Sequence, residues 1–201
     1  MSEISEAIEK AKEGGLIEGG EGFNRKVALV IAVLALFLSI AETLGKSAQT
    51  EVTTKNIEAS DLWAFFQAKS VRSTVVTTAA EAMAATGAAD PAAKDAIQKQ
   101  IDAWKKTAAR YDSDSSTHEG RKELAERAKD AEEERDLATA KYHHYELSSA
   151  AFQVGIVLAS AAVITGMVAL VWLAGVLGLV GLGLMALGLW APHAVPFIAT
   201  L

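Results

Sequence analysis

From Leu147 to Leu201 the chain carries no Asp, Glu, Lys or Arg; its 19 basic and 25 acidic residues all lie at or before Glu146. A bilayer admits only structures that satisfy every backbone polar group internally, and a helical crossing takes roughly 20 apolar residues. The charge-free run is long enough to cross twice. A break near Ala174-Gly175 divides it into a span over 147–173 and a second over 176–191, closed by Pro192. At about 1.5 Å per residue the last span reaches only about 24 Å, which implies a thinned bilayer or a short helix. The apolar tail 192–201 follows.

An earlier apolar run, Val27 to Gly45, is long enough for a third crossing, at roughly 28 Å. Asn24 is suited to cap it and Arg25-Lys26 precede it, so the expected span is 24–45. The tail 1–23 is polar and Glu-rich, with a weak amphipathic pattern through Ser2–Lys12. It lacks the basic-then-apolar order of a cleaved signal peptide, so the first span is read as retained.

Between the spans, residues 46–146 read as an extramembrane helical bundle. The first helix, about 46–88, carries Val52, Ile57, Leu62, Phe65, Phe66, Val71, Val75, Ala79 and Met83 at mostly helical spacing. Gly87 ends it, and Asp90-Pro91 restarts a helix over about 90–111 with the stripe Ile97, Ile101, Trp104, Ala108, Tyr111. The polar segment Asp112–Gly120 is a turn. A third helix, about 118–146, runs on into the second span. The expected fold class is therefore all-α, an integral membrane protein with three transmembrane helices and a coiled-coil-like bundle. The helical part and the C-terminus fall on the side opposite the N-terminus.

The composition narrows the chemistry. A net charge of −6 argues against a nucleic-acid partner. The absence of cysteine excludes disulfides, thiolate catalysis and Cys-ligated metal. There is no phosphate loop, nucleophile elbow or metal signature, so no catalytic residue, cofactor or metal is expected.

Several residues remain as candidates. Glu42 lies in the last turn of the first span and Gln153 enters the second at similar depth; a hydrogen bond between them would fix helix pairing. Gly175, Gly178, Gly181, Gly183 and Gly188, with Ala159, Ala162 and Gly166 on the preceding span, allow close helix packing. Tyr142, His143, His144 and Tyr145 read as an interfacial belt, joined by Trp172 and Trp190 at opposite ends of the hairpin. Adjacent histidines point about 100° apart on a helix, which does not suit one metal. Leu62, Trp63, Phe65 and Phe66 form a dense cluster, either bundle core or a contact for a partner or second copy.

The run AETLGKSAQTEVTTKNIEASDLWAFFQAKSVR, from Ala41 to Arg72, resembles sequences of an uncharacterised bacterial membrane-protein family, domain of unknown function 4337. The matching positions include Glu42, Gly45, Lys46, Gln49, Asn56, Glu58, Trp63, Gln67 and Lys69, and the likeness extends almost end to end. The resemblance implies a bacterial inner-membrane protein and supplies no activity. The expected function is a non-enzymatic oligomeric scaffold contacting membrane lipid. The alternatives are an accessory subunit of a larger membrane complex and a channel or transporter.

Overall fold

In the computed structural model, residues 16–87 and 90–194 are described, with side chains from Gly22 onward. Among them there are four helices and no strand: α1 (Leu16–Thr86), α2 (Pro91–Asp112), α3 (Arg121–Thr165) and α4 (Val168–Trp190). Three of these, α1, α3 and α4, are long and apolar enough to cross a membrane. The contacts divide into two compact units, 51–136 and a second made of the residues up to 50 and from 137 onward.

α1 is one unbroken helix of 71 residues. Asn24 therefore lies inside a helix rather than capping one, and the helix runs on through Gly45. Helical propensity is continued by apolar contacts on both sides of these residues, which outweighs the local cost of a capping residue or glycine in mid-helix. The pattern at Ser2–Lys12 and most of the apolar tail 192–201 lie outside the described residues.

The unit holding the apolar segments packs α1, α3 and α4 together. Val27, Leu34, Ala41, Phe152, Ala159 and Ala174 are its buried centre, and the Phe37 and Phe152 rings stack with centroids 6.0 Å apart. Leu29, Leu36, Val157, Ile164 and Leu179 are exposed. An apolar surface that wide costs too much in water and is what hydrocarbon solvates.

The turn between the last two helices is at Gly166-Met167, not at Ala174-Gly175. Gly166 has φ +69° and its N–H donates to Ala162 O at 2.9 Å, closing α3 with a left-handed residue. Ala174 and Gly175 sit within α4, where Ala174 is fully buried. The consequence is a last helix of 23 residues, about 34 Å long, with no need for a thinned bilayer.

Glycine placement explains how closely α3 and α4 approach. A Cβ on Gly181 would stand 2.9 Å from the buried Phe152 ring, and one on Gly188 would stand 2.8 Å from the Tyr145 ring and 3.0 Å from His144 Cβ. Gly178 faces Leu34 in the same way, whereas Gly175 and Gly183 meet nothing. Three of the five glycines thus serve packing and two do not.

The other unit is a bundle of α1, α2 and the start of α3. Ala59, Leu62, Leu124, Ala128 and Ala131 form its core, with Trp63, Phe65 and Phe66 packed on it. Asp90 caps α2 by accepting from Ala93 N at 3.2 Å, with Pro91 in the first turn, and Ile101 is buried. The turn before α3 is held by carboxylates. Arg121 and Lys122 both reach Asp112, and Asp114 accepts from the Ser116 hydroxyl and amide. These donors hold the Asp112 carboxyl below the usual carboxylate range, through Arg121 first, and the Asp114 carboxyl well below it, through Ser116 first.

Two predictions follow from this packing. Gly188→Ala and Gly181→Ala each destabilise the solubilised full chain, by about 1–3 kcal/mol as overpacking does, while Gly183→Ala, which meets open space, holds or slightly raises its melting temperature; equal effects at 183 and 188 would contradict the assignment of faces. For the turn, a carboxyl with a lowered folded pKa contributes stability that is complete above the unfolded value, near about 3.9, and lost as pH falls through the folded one. Asp114→Asn therefore lowers the melting temperature at pH 7, and the difference from the parent disappears in strong acid. An unchanged melting temperature at pH 7 would show that the turn contributes nothing.

Candidate functional site

The residues singled out by sequence fall into three places. The first is the seam between α3 and α4 within the apolar unit. His144 is fully buried, and since a proline carbonyl only accepts, its Nε2–H donates to Pro192 O at 3.1 Å. Its Nδ1 is buried with no hydrogen-bond partner in the structure. One turn further along α3, the buried Ser148 hydroxyl donates to Gly181 O at 2.8 Å. Tyr145 is buried against Gly188. His144 and Tyr145 are therefore packing groups and not members of an interfacial belt. Gly188 leaves room for both, and α3 turns this face inward. Tyr142 and His143 remain half-buried with their rings 5.6 Å apart, and Trp172 and Trp190 are exposed near the two ends of α4.

The second place is a cleft of about 270 Å³ between α1 and α3, lined by Glu42, Lys46, Gln49, Tyr142, Glu146 and Ser149, among others. Helical spacing brings Glu42, Lys46 and Gln49 to one face of α1, and Tyr142, Glu146 and Ser149 to one face of α3. Gln153 Nε2 lies 3.5 Å from Glu42 Oε1, at the outer limit of a hydrogen bond, so the expected pair is brought together but only loosely. Lys46 stands four residues after Glu42 yet makes no ion pair among the described residues. Glu146 has the His143 ring as a neighbour, with Nδ1 at 3.9 Å.

The third place is the aromatic cluster of the bundle. Trp63 Nε1–H donates to Glu132 at 2.9 Å, and its ring meets Phe66 edge-on with centroids 5.5 Å apart. Lys69 Nζ lies over the Phe65 and Tyr111 rings at 5.1 and 5.5 Å. Leu62 is buried in the core. The cluster thus packs on the bundle core, with Trp63, Phe65 and Phe66 half-buried. The large apolar residues left outward in this unit are Ile57, Val71 and Val75, which share the mostly helical spacing of the residues turned inward. Among the described residues no group of three His, Cys, Asp or Glu side chains is placed to hold a metal ion.

The family described as a Domain of unknown function (DUF4337) matches residues 23–191. The chain belongs to the DUF4337 family. The matched region runs from the start of the first apolar segment to the end of α4, so both packed units are family features. The motif positions Glu42, Gly45, Lys46 and Gln49 of this DUF4337 chain all line the cleft between α1 and α3. No curated protein and no solved structure matches the chain.

Removing the Trp63 donor is the direct test of the aromatic cluster. Trp63→Phe keeps an aromatic group but loses the bond to Glu132 and part of the packed ring, and should cost about 1–3 kcal/mol of stability in a melt of the full chain, without changing its subunit count. A loss of assembly with no loss of stability would move the cluster to an intermolecular contact.

Proposed function

We propose that this protein is a non-enzymatic, self-associating membrane scaffold. The observation that carries the reading is the outward face of α1 in the bundle unit. Ile57, Val71 and Val75 are 56%, 63% and 61% exposed. With Asp61, Ala64, Ala68, Thr78 and Ala82, also exposed, they form one line of residues separated by alternating steps of four and three. That alternation is the 3.5-residue period of a coiled-coil seam. Small and β-branched side chains on such a line allow two helices to approach closely.

A second copy of this chain is the occupant that fits. The stripe and the first apolar segment belong to one unbroken helix. Copies inserted the same way in one membrane present identical stripes in the same sense, and confinement to a plane raises their effective concentration. A two-fold contact brings the same stripe of each copy together, with Asp61 the one charge on it. The family resemblance adds a bacterial cytoplasmic membrane as the setting.

The absence of cysteine makes the test clean. Val71→Cys, oxidised in native membranes, should give a cross-linked species at twice the chain mass, because facing seam positions lie within disulfide reach. Lys99→Cys, on α2, should not. Equal cross-linking at both positions, or none at Val71, would defeat the seam.

A further inference from the structure

We propose that the cleft between α1 and α3 binds the headgroup of an aminophospholipid, a lipid carrying a phosphate and a primary ammonium. Depth is the first argument. Tyr145, which lines the cleft, packs on Gly188, and Trp190 stands exposed two residues beyond. Exposed tryptophan at the end of an apolar helix marks the level of lipid headgroups. Glu146 is the last charged residue before the charge-free run, and Lys46 is the first cation after the first apolar segment. The cleft therefore opens where headgroups lie.

Charge is the second argument. The lining holds one cation, Lys46, and two carboxylates, Glu42 and Glu146. None of the three is in a Lys–carboxylate or Arg–carboxylate bridge within the described residues. Exposed at the level of headgroups, Lys46, Glu42 and Glu146 are open to a partner of complementary charge. A headgroup phosphate answers Lys46, with the Ser149 hydroxyl available as a further donor. A primary ammonium donates to Glu42 and Glu146. A quaternary ammonium has no N–H to donate, and an anionic headgroup without an amine leaves both carboxylates opposed.

The site is independent of self-association through α1, and its readout is lipid bound per chain, whatever the subunit number. The full-length protein, delipidated in detergent, is offered phosphatidylethanolamine, phosphatidylcholine and phosphatidylglycerol, and bound lipid is counted by native mass spectrometry. Phosphatidylethanolamine should be retained at one per chain. Lys46→Gln and Glu146→Gln should each weaken it about tenfold, as losing a charge-assisted contact does. Lys46→Arg should keep most of the binding, and Lys99→Gln all of it. Both Lys46 and Glu146 are exposed, so these variants leave the packed core untouched. Equal retention of the three lipids, a preference for phosphatidylglycerol, or binding unchanged in Lys46→Gln would overturn the proposal. So would soluble phosphoethanolamine binding as tightly as the lipid, because the acyl chains would then contribute nothing.

Discussion

A backbone amide in hydrocarbon has no water to bond, and the apolar part of this chain is built around that fact. From Leu147 onward there is no formal charge to draw the chain back into water. The chain answers with two long helices and the shortest available reversal. Gly166 supplies the left-handed residue, its N–H bonds back to Ala162, and Leu170 N–H bonds to Met167 O, so that the turn leaves few groups unpaired. The position of that turn then sets which glycines of α4 face α3. Gly181 and Gly188 admit Phe152 and Tyr145, and the close approach lets Ser148 bond to Gly181 O. Such hydrogen bonds between helices are modest in energy but fix register.

The two kinds of apolar surface in this protein have different physical meanings. In the unit with the apolar segments, exposed Leu, Val and Ile surround the helices, as a lipid-solvated surface should. In the bundle unit, the exposed large apolar residues are Ile57, Val71 and Val75, and they fall on one seam of α1. A scattered apolar residue on a surface needs no explanation, but a periodic line of them on one helix does. That contrast, rather than any single residue, is the basis for reading α1 as the assembly element.

Much of this architecture was legible in the sequence, because it rests on strong local signals. The charge-free block, the Asp90-Pro91 start and the stop at Gly87 are each written in a few residues, and the helices follow. The turn is not legible because Gly175 and Gly166 are equally plausible in a run rich in glycine; only the tertiary fit of Gly178, Gly181 and Gly188 distinguishes them. The inward burial of His144 and Tyr145 was hidden for a related reason. Aromatic and histidine rings next to an apolar helix usually read as an interfacial belt, and the room left by Gly188 appears only once α4 is laid on α3. On α1, helical spacing alone did not separate the inward Leu62, Phe65 and Phe66 from the outward Ile57, Val71 and Val75. A helix with two apolar faces gives one mixed pattern. The loose contact between Glu42 and Gln153 was anticipated, but the cleft around Lys46 and Glu146 was not, since it needs residues from α1 and α3 together.

The measurement that tests the central claim most directly is the mass of the native particle, extracted in a polymer that keeps its surrounding lipid, with every polypeptide in it identified. The account predicts one kind of chain at a whole-number multiple, two or more, of 21.2 kDa. A particle holding a single copy, or one copy with stoichiometric foreign subunits, would contradict self-assembly, and in the second case the role would have to be read from the partner.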